Sequence, residues 1–436
     1  MPGPFQVDSA IHGLRTFNRG PFQVGTDLYC IAFSAFQVIS AFVSADNGET
    51  WTQTGSTKTI SSTTCSFGCC LSIAGDYVYV LYIATFPQRL QVSRFNLVLG
   101  DFDLDSAAGP VLNSGAGNAP YGFIEQSTDG TLVAMVKDFD AINGDATVAL
   151  ATLSTGLGTW STLSYPNGQS DDDTFFLGAG LVRGGSDRVH GFALKNSLAG
   201  TFLMHILAYG GSGGVGSEFS EISEVVSVSG DPADVVSAAA ASSLIGVAFN
   251  SADVGIGDPQ AVSVAIATDA DAPAFTVTVV DNSTVGTEDG SKLELIGGDT
   301  LRLIYHPTGG DVLYSLYSTS WSSPESLFTP SDTLQALDGF DLESGFGFFF
   351  ADTDFSVENP LSHYFEVPGG ATINGAAGIP SEEAFGKTHG VSGGGEPETC
   401  GGDPVVIPPA PGCNSLPTVP YYPGDQDSCP TRGYSY

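Results

Sequence analysis

Short apolar runs recur along most of this chain, and they come in groups. Runs rich in Val, Ile, Phe and Tyr are separated by clusters of Gly, Asp, Asn and Ser, the pattern of β-strands joined by tight turns. Grouped by their spacing they form units at 27–58, 70–104, 117–163, 172–210, 233–280, 285–328 and 333–367. A repeat of about 40–50 residues constrains the fold more than any other feature, because it matches four-stranded units that stack on one another. One such sheet is too small to bury both faces alone. Packed radially against neighbours it can, and only short edges remain. The 28 Phe and 15 Tyr favour strands, and the 56 Gly supply tight turns. The expectation is an all-β chain, a β-propeller of about seven four-stranded blades, within a range of about six to eight.

The units share a phrase as well as a length. Each of the three Trp ends a similar turn. Ser44-Ala45-Asp46-Asn47-Gly48-Glu49-Thr50-Trp51 is the fullest. Ser154-Thr155-Gly156-Leu157-Gly158-Thr159-Trp160 is one residue shorter, and Tyr317-Ser318-Thr319-Ser320-Trp321 is a remnant. Each follows an alternating apolar run, so each stands where one strand turns into the next. The first phrase resembles the Asp-box, the S-x-D-x-G-x-T-W hairpin (also called the BNR repeat) of sialidase-like β-propellers. The resemblance implies a turn between outer strands of a blade, with Asp46 bonding turn N–H groups, Gly48 at positive φ and Trp51 packed between sheets. Ser154, Gly158, Trp160, Ser318 and Trp321 would be the counterparts in the degenerate copies.

The two ends read differently. GPFQV occurs at 3–7 and again at 20–24. Residues 1–26 therefore offer an N-terminal arm with a strand that could complete the last blade and close the ring of 27–367. From 368 to 436 the chain is rich in Gly and Pro, with Cys400, Cys413 and Cys429. Such a tail should not fold by itself and is expected to order against neighbouring subunits.

Charge narrows the partners. The 48 acidic and 13 basic residues give a net −35, which repels phosphate backbones and argues against nucleic acid. No run of about 20 apolar residues is present, so membrane insertion is not expected. The start, MPGPFQVDSAIHG, has neither the basic nor the apolar region of a signal peptide. Charged residues are only 14%, so Ser, Thr, Asn and Gly supply most of the polar surface. That is a composition of shells that face the outside world. Salt adaptation, which depletes Lys, is the second explanation. Cys65-x3-Cys69-Cys70 lacks the spacing of a zinc site, leaving buried thiols or disulfides.

Catalytic signatures are few. The family resemblance raises a sialidase-like glycoside hydrolase, in which three Arg clamp a carboxylate beside a Tyr nucleophile. Arg15, Arg19, Arg89, Arg94, Arg183, Arg188, Arg302 and Arg432 are the available guanidinium groups. Arg19, Arg188 and Arg302, with Tyr314 or Tyr317, form one conceivable set. The Arg-Ile-Pro segment that opens sialidase sequences is missing, and the commoner role of such Arg is ion pairing in loops. The G-x-S-x-G matches at 210–214 and 390–394 lack the strand and helix a nucleophile elbow needs. Asp101, Asp103 and Asp105 begin like a calcium loop, but the Gly such a loop needs at position six and the Glu at position twelve are missing. Ca2+ is thus the one cofactor considered, and otherwise none is expected. The six His are scattered, with core or surface positions as the default. Phe175-Phe176 and Phe348-Phe349-Phe350 fit blade packing better than sugar stacking.

These readings converge on a non-enzymatic binding or structural propeller. Its expected place is a virion, as a tail, fibre or decorating component of a bacteriophage-like particle, or another extracellular surface. The expected partners are other assembly proteins, reached through the tail, and host surface glycan or protein, and the chain is expected to be oligomeric. The alternative is the sialidase-like hydrolase.

Overall fold

The computed structural model describes residues 5–6, 16–17 and 20–366, except 36–37, 47–49, 61–66, 85–87, 114–121, 140–145, 167–173, 186, 198–199, 211–213, 226–235, 252–260, 283–292, 308–309, 330–335, 343–344 and 352–361. The chain divides into two compact units, Met1–Gly386 and Lys387–Tyr436. The second lies wholly outside the described residues. So do Arg15, Arg19, Gly48, Cys65, Arg432 and the whole of the expected tail.

Two short strands open the chain, β1 (Phe5–Gln6) and β2 (Thr16–Phe17). Blade I follows as β3 (Phe22–Val24), β4 (Asp27–Ala35), β5 (Val38–Ser44) and β6 (Thr52–Thr59). Blade II holds β7 (Phe67–Leu71), β8 (Tyr77–Ala84), β9 (Arg89–Asn96) and β10 (Asp101–Asp105), with β2 added in parallel to β7. Blade III holds β11 (Gly122–Gln126), β12 (Leu132–Phe139) and β13 (Ala146–Leu153). Its outer edge is continued only by isolated bridges, Leu150 to Ser164 and Leu153 to Trp160. Blade IV is β14 (Thr174–Arg183), β15 (Val189–Ser197), β16 (Gly200–Tyr209) and β17 (Ser220–Val225). Blade V is β18 (Val236–Ala241), β19 (Leu244–Ser251), β20 (Ala261–Thr268) and β21 (Thr276–Asp281). Blade VI is β22 (Leu293–Ile296), β23 (Arg302–Tyr305), β24 (Val312–Leu316) and β25 (Glu325–Phe328). Blade VII is β26 (Ala336–Leu342), β27 (Gly345–Ala351) and β28 (Ser362–Glu366), and β1 pairs antiparallel with β28 as its fourth strand.

Seven sheets are thus present among the described residues, and within each the blade strands are antiparallel neighbours. The groups read from alternation correspond to these sheets. The boundaries differ most at two units: blade I begins at Phe22, inside the segment 1–26 expected as an N-terminal arm, because the second GPFQV copy pairs with β4, and the fourth unit does not stop at 210. The Gly-rich segment after Tyr209 is an internal loop, and β17 returns to pair with β16.

The blades stack through their faces. The first strands are neighbours in turn, β7 beside β11, β11 beside β14, β14 beside β18, β18 beside β22 and β22 beside β26. Contact between β26 and β3 closes the circle. Each apolar core lies between two blades. Phe33 and Ile39 of blade I meet Phe67, Val80 and Phe95 of blade II. Leu81 and Val92 of blade II meet Ile124 and Val136 of blade III. Val133 and Met135 meet Leu181 and Ile206, and Phe192 and Leu203 meet Val247 and Phe249. Val262 and Val264 meet Leu303 and Tyr305.

This arrangement explains the composition of the strands. A second strand is covered on both sides, so Val78 to Ile83 of β8 are all buried and the run is continuously apolar instead of alternating. A fourth strand faces solvent, and β6 reads Thr-Gln-Thr-Gly-Ser-Thr-Lys-Thr. First strands crowd towards the axis and need small residues. A Cβ on Gly68 would lie 2.5 Å from the Gly122 carbonyl, and one on Gly122 would lie 2.6 Å from Val136. No helix among the described residues is long and apolar enough to cross a membrane.

Candidate functional site

In an antiparallel four-stranded blade the first-to-second and third-to-fourth turns emerge on one face. That face is well described, whereas most of the connections on the other face lie outside the described residues. The three Trp-ended phrases lie on the described face, each after the third strand of its blade.

In the first phrase the Asp46 carboxylate accepts from Ser44 Oγ at 2.7 Å, from the Thr50 amide at 2.8 Å and from Thr50 Oγ1 at 2.6 Å. These bonds, those from Thr50 foremost, pull the Asp46 pKa down to about 2. Trp51 is buried. In the second phrase no Asp is available, and Ser154 Oγ accepts from the Thr159 amide at 2.7 Å. The hydroxyl takes the amide just before the Trp, as Asp46 does. Gly158 donates to the Ser154 carbonyl at 3.3 Å, and Trp160 Nε1 reaches Ala107 O of blade II at 3.0 Å. In the remnant, the Ser318 amide donates to Ser320 O at 3.2 Å, and the Trp321 ring meets that of Tyr317 in a tilted contact, 5.3 Å between centroids, over the core between blades V and VI.

A fourth turn of this kind was not recognised in the sequence. Asp129 accepts from Ser127 Oγ at 2.6 Å, from the Thr131 amide at 2.8 Å and from Tyr209 Oη of blade IV at 2.8 Å. The signal was Ser127-x-Asp129-Gly130-Thr131, which keeps the polar residues of the first phrase without its Trp.

The three candidate calcium ligands belong to a strand, not a loop. Asp101 accepts from Ser56 N and Oγ at 2.7 and 2.6 Å. Asp105 takes Lys58 Nζ at 2.8 Å, and Asp103 takes Arg94 Nε and Nη2 at 2.8 and 2.9 Å. Asp101 and Asp105 therefore tie blade II to blade I, and Asp103 stays within its own sheet. Among the described residues no group of three His, Cys, Asp or Glu is placed to hold a metal ion. Cys30, Cys69 and Cys70 are buried thiols.

The described arginines are dispersed. Arg89 bonds Gly109 O, Arg94 pairs with Asp103, and Arg183 lies 3.6 Å from Glu125. Arg302 bonds Gly297 O at 3.3 Å, while Tyr314 bonds Glu325. Arg188 and Arg302 stand on different blades with different partners, so the suggested clamp is not assembled among the described residues.

Arg188 belongs to another constellation, one that spacing could not reveal. It lies just before β15, and across the blade IV–V boundary its Nε meets Asp269 Oδ1 at 2.7 Å and its Nη1 meets Asp271 Oδ1 at 2.9 Å. The same Asp269 oxygen lies 2.9 Å from His190 Nε2. His190 Nδ1 lies 3.0 Å from His205 Nε2 on the neighbouring strand β16. Asp269 and both imidazoles are almost wholly buried. Burial lowers the pKa of both His, against the pull of Asp269 at His190, and takes His205 to about 3. Proton positions follow. A carboxylate only accepts, so His190 carries its proton on Nε2 and accepts at Nδ1. His205 then donates from Nε2, and its Nδ1 presents a bare lone pair that no described residue takes up.

His205 also lines a pocket of about 550 Å³ between the third-to-fourth loops of blades IV and V. Its walls include Val215, Ser217, Glu218, Asp271 and Pro273. The volume lies within the range of small-ligand sites. A Cβ on Gly216 would lie 2.1 Å from the Leu207 carbonyl, so the loop can lie this close to β16 only without a side chain there.

No family model matches the chain, and no curated protein sequence does. Solved structures match in fold. The crystal structure of polysaccharide lyase Uly1 aligns with TM-score 0.51 at 9% identity, over 83% of this chain and 98% of that one. A PL25 ulvanlyase aligns with TM-score 0.49 at 9% identity, over 83% and 95%. The β-propeller domain of the trilobed protease from Pyrococcus furiosus aligns with TM-score 0.43 at 8% identity, over 80% and 92%. Such identities speak to fold alone. Sheet order and the ring of first-strand contacts make the chain an all-β propeller.

Proposed function

We propose that this chain is a non-enzymatic glycan-binding propeller module of a virion or other extracellular surface, attached to its assembly through residues 368–436. The carrying observation is the pocket between blades IV and V. It joins hydrogen-bonding groups (His205, Ser217, Glu218, Asp271) to apolar ones (Val215, Pro273). Saccharides are bound by that combination, polar groups for hydroxyls and apolar surface for the ring's C–H face. The nearby guanidinium is already paired with two carboxylates. The acidic surface, poor in Lys, supports the external setting. A glycan array probed with the full chain tests the reading. Saturable binding to a subset of glycans is expected, and no binding to any glycan overturns it.

The Asp269–His190–His205 chain favours a second reading, a glycoside hydrolase. Release of reducing sugar from a panel of polysaccharides would install that reading in place of the first.

A further inference from the structure

The pocket's electrostatics go further than its shape. Among the described residues Arg188 is the cation beside the pocket; Asp269 and Asp271 pair with it, and Glu218 adds a third carboxylate to the lining. Both imidazoles are neutral, so they add acceptors and no positive charge. Glu218 is exposed in the loop before β17 and meets no partner among the described residues. Asp271 gives one oxygen to Arg188 and keeps the other. His205, only 4% exposed, lines the pocket with Nδ1 unengaged. An acceptor held by a buried three-residue chain is preorganised for a donor and costs little to order on binding.

We propose that this pocket takes an amine-bearing sugar, a 2-amino-2-deoxyhexose unit with its nitrogen protonated. Glu218 and Asp271 hold the ammonium, and His205 Nδ1 accepts from a ring hydroxyl. Val215 and Pro273 cover the apolar face of the ring. A metal ion fits less well, since these three side chains are not placed to ligate one ion. Uronic acids and sulfated sugars are disfavoured, because their anions would meet Glu218 and the remaining oxygen of Asp271. The assignment rests on the glycan-binding reading and specifies its ligand.

Calorimetric titration of the full chain with glucosamine tetramer, N-acetylglucosamine tetramer and galacturonate tetramer tests it. The expected order is saturable binding of the first, at least about tenfold weaker binding of the second, and none of the third. General attraction to a chain of net −35 is controlled in two ways. Tetralysine should bind at least about tenfold more weakly than glucosamine tetramer, and Glu218→Gln, which changes one exposed charge, should weaken glucosamine tetramer about tenfold. Circular dichroism and urea midpoints of Glu218→Gln, unchanged from those of the unaltered chain, confirm that a lost affinity is not a lost fold. Equal binding of the acetylated tetramer, equal binding of tetralysine, or an unaffected Glu218→Gln overturns the assignment. If neutral or acidic glycans bind and glucosamine does not, the ligand class is wrong and the glycan-binding reading stands. If no saccharide binds, both fall.

Discussion

His205 Nε2 lies 3.0 Å from Nδ1 of His190, and the contact makes one buried imidazole the handle by which Asp269 orients another. The proton economy of this pair gives the first prediction. His205 titrates near 3 in the fold against 6.5 unfolded, so between those values the unfolded chain binds a proton that the native one refuses. Stability is complete above pH 6.5 and falls on acidification, by up to ~1.4 kcal/mol per pH unit for this group. Urea unfolding between pH 6.5 and 4.5 should show His205→Gln losing less stability over that interval than the unaltered chain. Equal losses would show that His205 does not set the slope.

Glu125 behaves oppositely. It sits on β11, 3.6 Å from Arg183, and burial lifts its pKa from 4.5 to about 7 despite that cation. Its folded pKa lies above its unfolded one, so the native state is favoured while the group is protonated, and stability declines as pH rises from 4.5 through 7. Replacing it by Gln removes the cost of burying the charge. Glu125→Gln should gain about 3 kcal/mol over the unaltered chain at pH 8, and almost nothing at pH 4. Denaturation at the two pH values reads the difference directly.

The turn at Asp46 should be worth more than its shortened copy. Asp46 accepts three bonds and Ser154 Oγ accepts one from the matching amide. Asp46→Ala should cost about 1–2 kcal/mol and Ser154→Ala about half of that, measured as shifts in urea midpoint. The Asp46 contribution is present above pH 3.8 and fades as pH falls towards 2, because the carboxylate must stay ionised to accept all three bonds.

Gly55 marks where two outer strands touch. It has φ +67°, and a Cβ there would lie 2.4 Å from the Gly100 carbonyl of blade II. The adjacent Thr54 Oγ1 donates to that carbonyl at 3.1 Å. Gly55→Ala must therefore separate β6 from β10 as well as strain the backbone. A loss of about 2–3 kcal/mol is expected by thermal or urea unfolding. Gly75, with φ +75° and open space around its Cβ position, serves as the control and should lose about 1 kcal/mol.

How far these features were legible follows from the distance over which they form. The strands were readable because burial alternates within a few residues, as in β13, or runs unbroken where a strand is covered on both sides, as in β8. The turns at Asp46 and Ser154 were readable because their bonds close within six residues. The extent of blade IV was not, because nothing in the Gly-rich loop shows that Ser220 rejoins β16. Asp101, Asp103 and Asp105 resembled a metal loop locally, and only their partners on β6 and β9 show a strand latched on both sides.

The amino-acid order alone determined the class of the chain: strand periods, glycine turns and the spacing of its sheets are short-range consequences of side-chain size and hydrophobicity. Only tertiary structure decided the candidate site. His190 and His205 are fifteen positions apart, Asp269 is seventy-nine beyond His190, and Glu218 comes from a loop between them. Their meeting depends on the angle and offset at which blade V packs against blade IV, and those are set by the buried faces of both sheets at once.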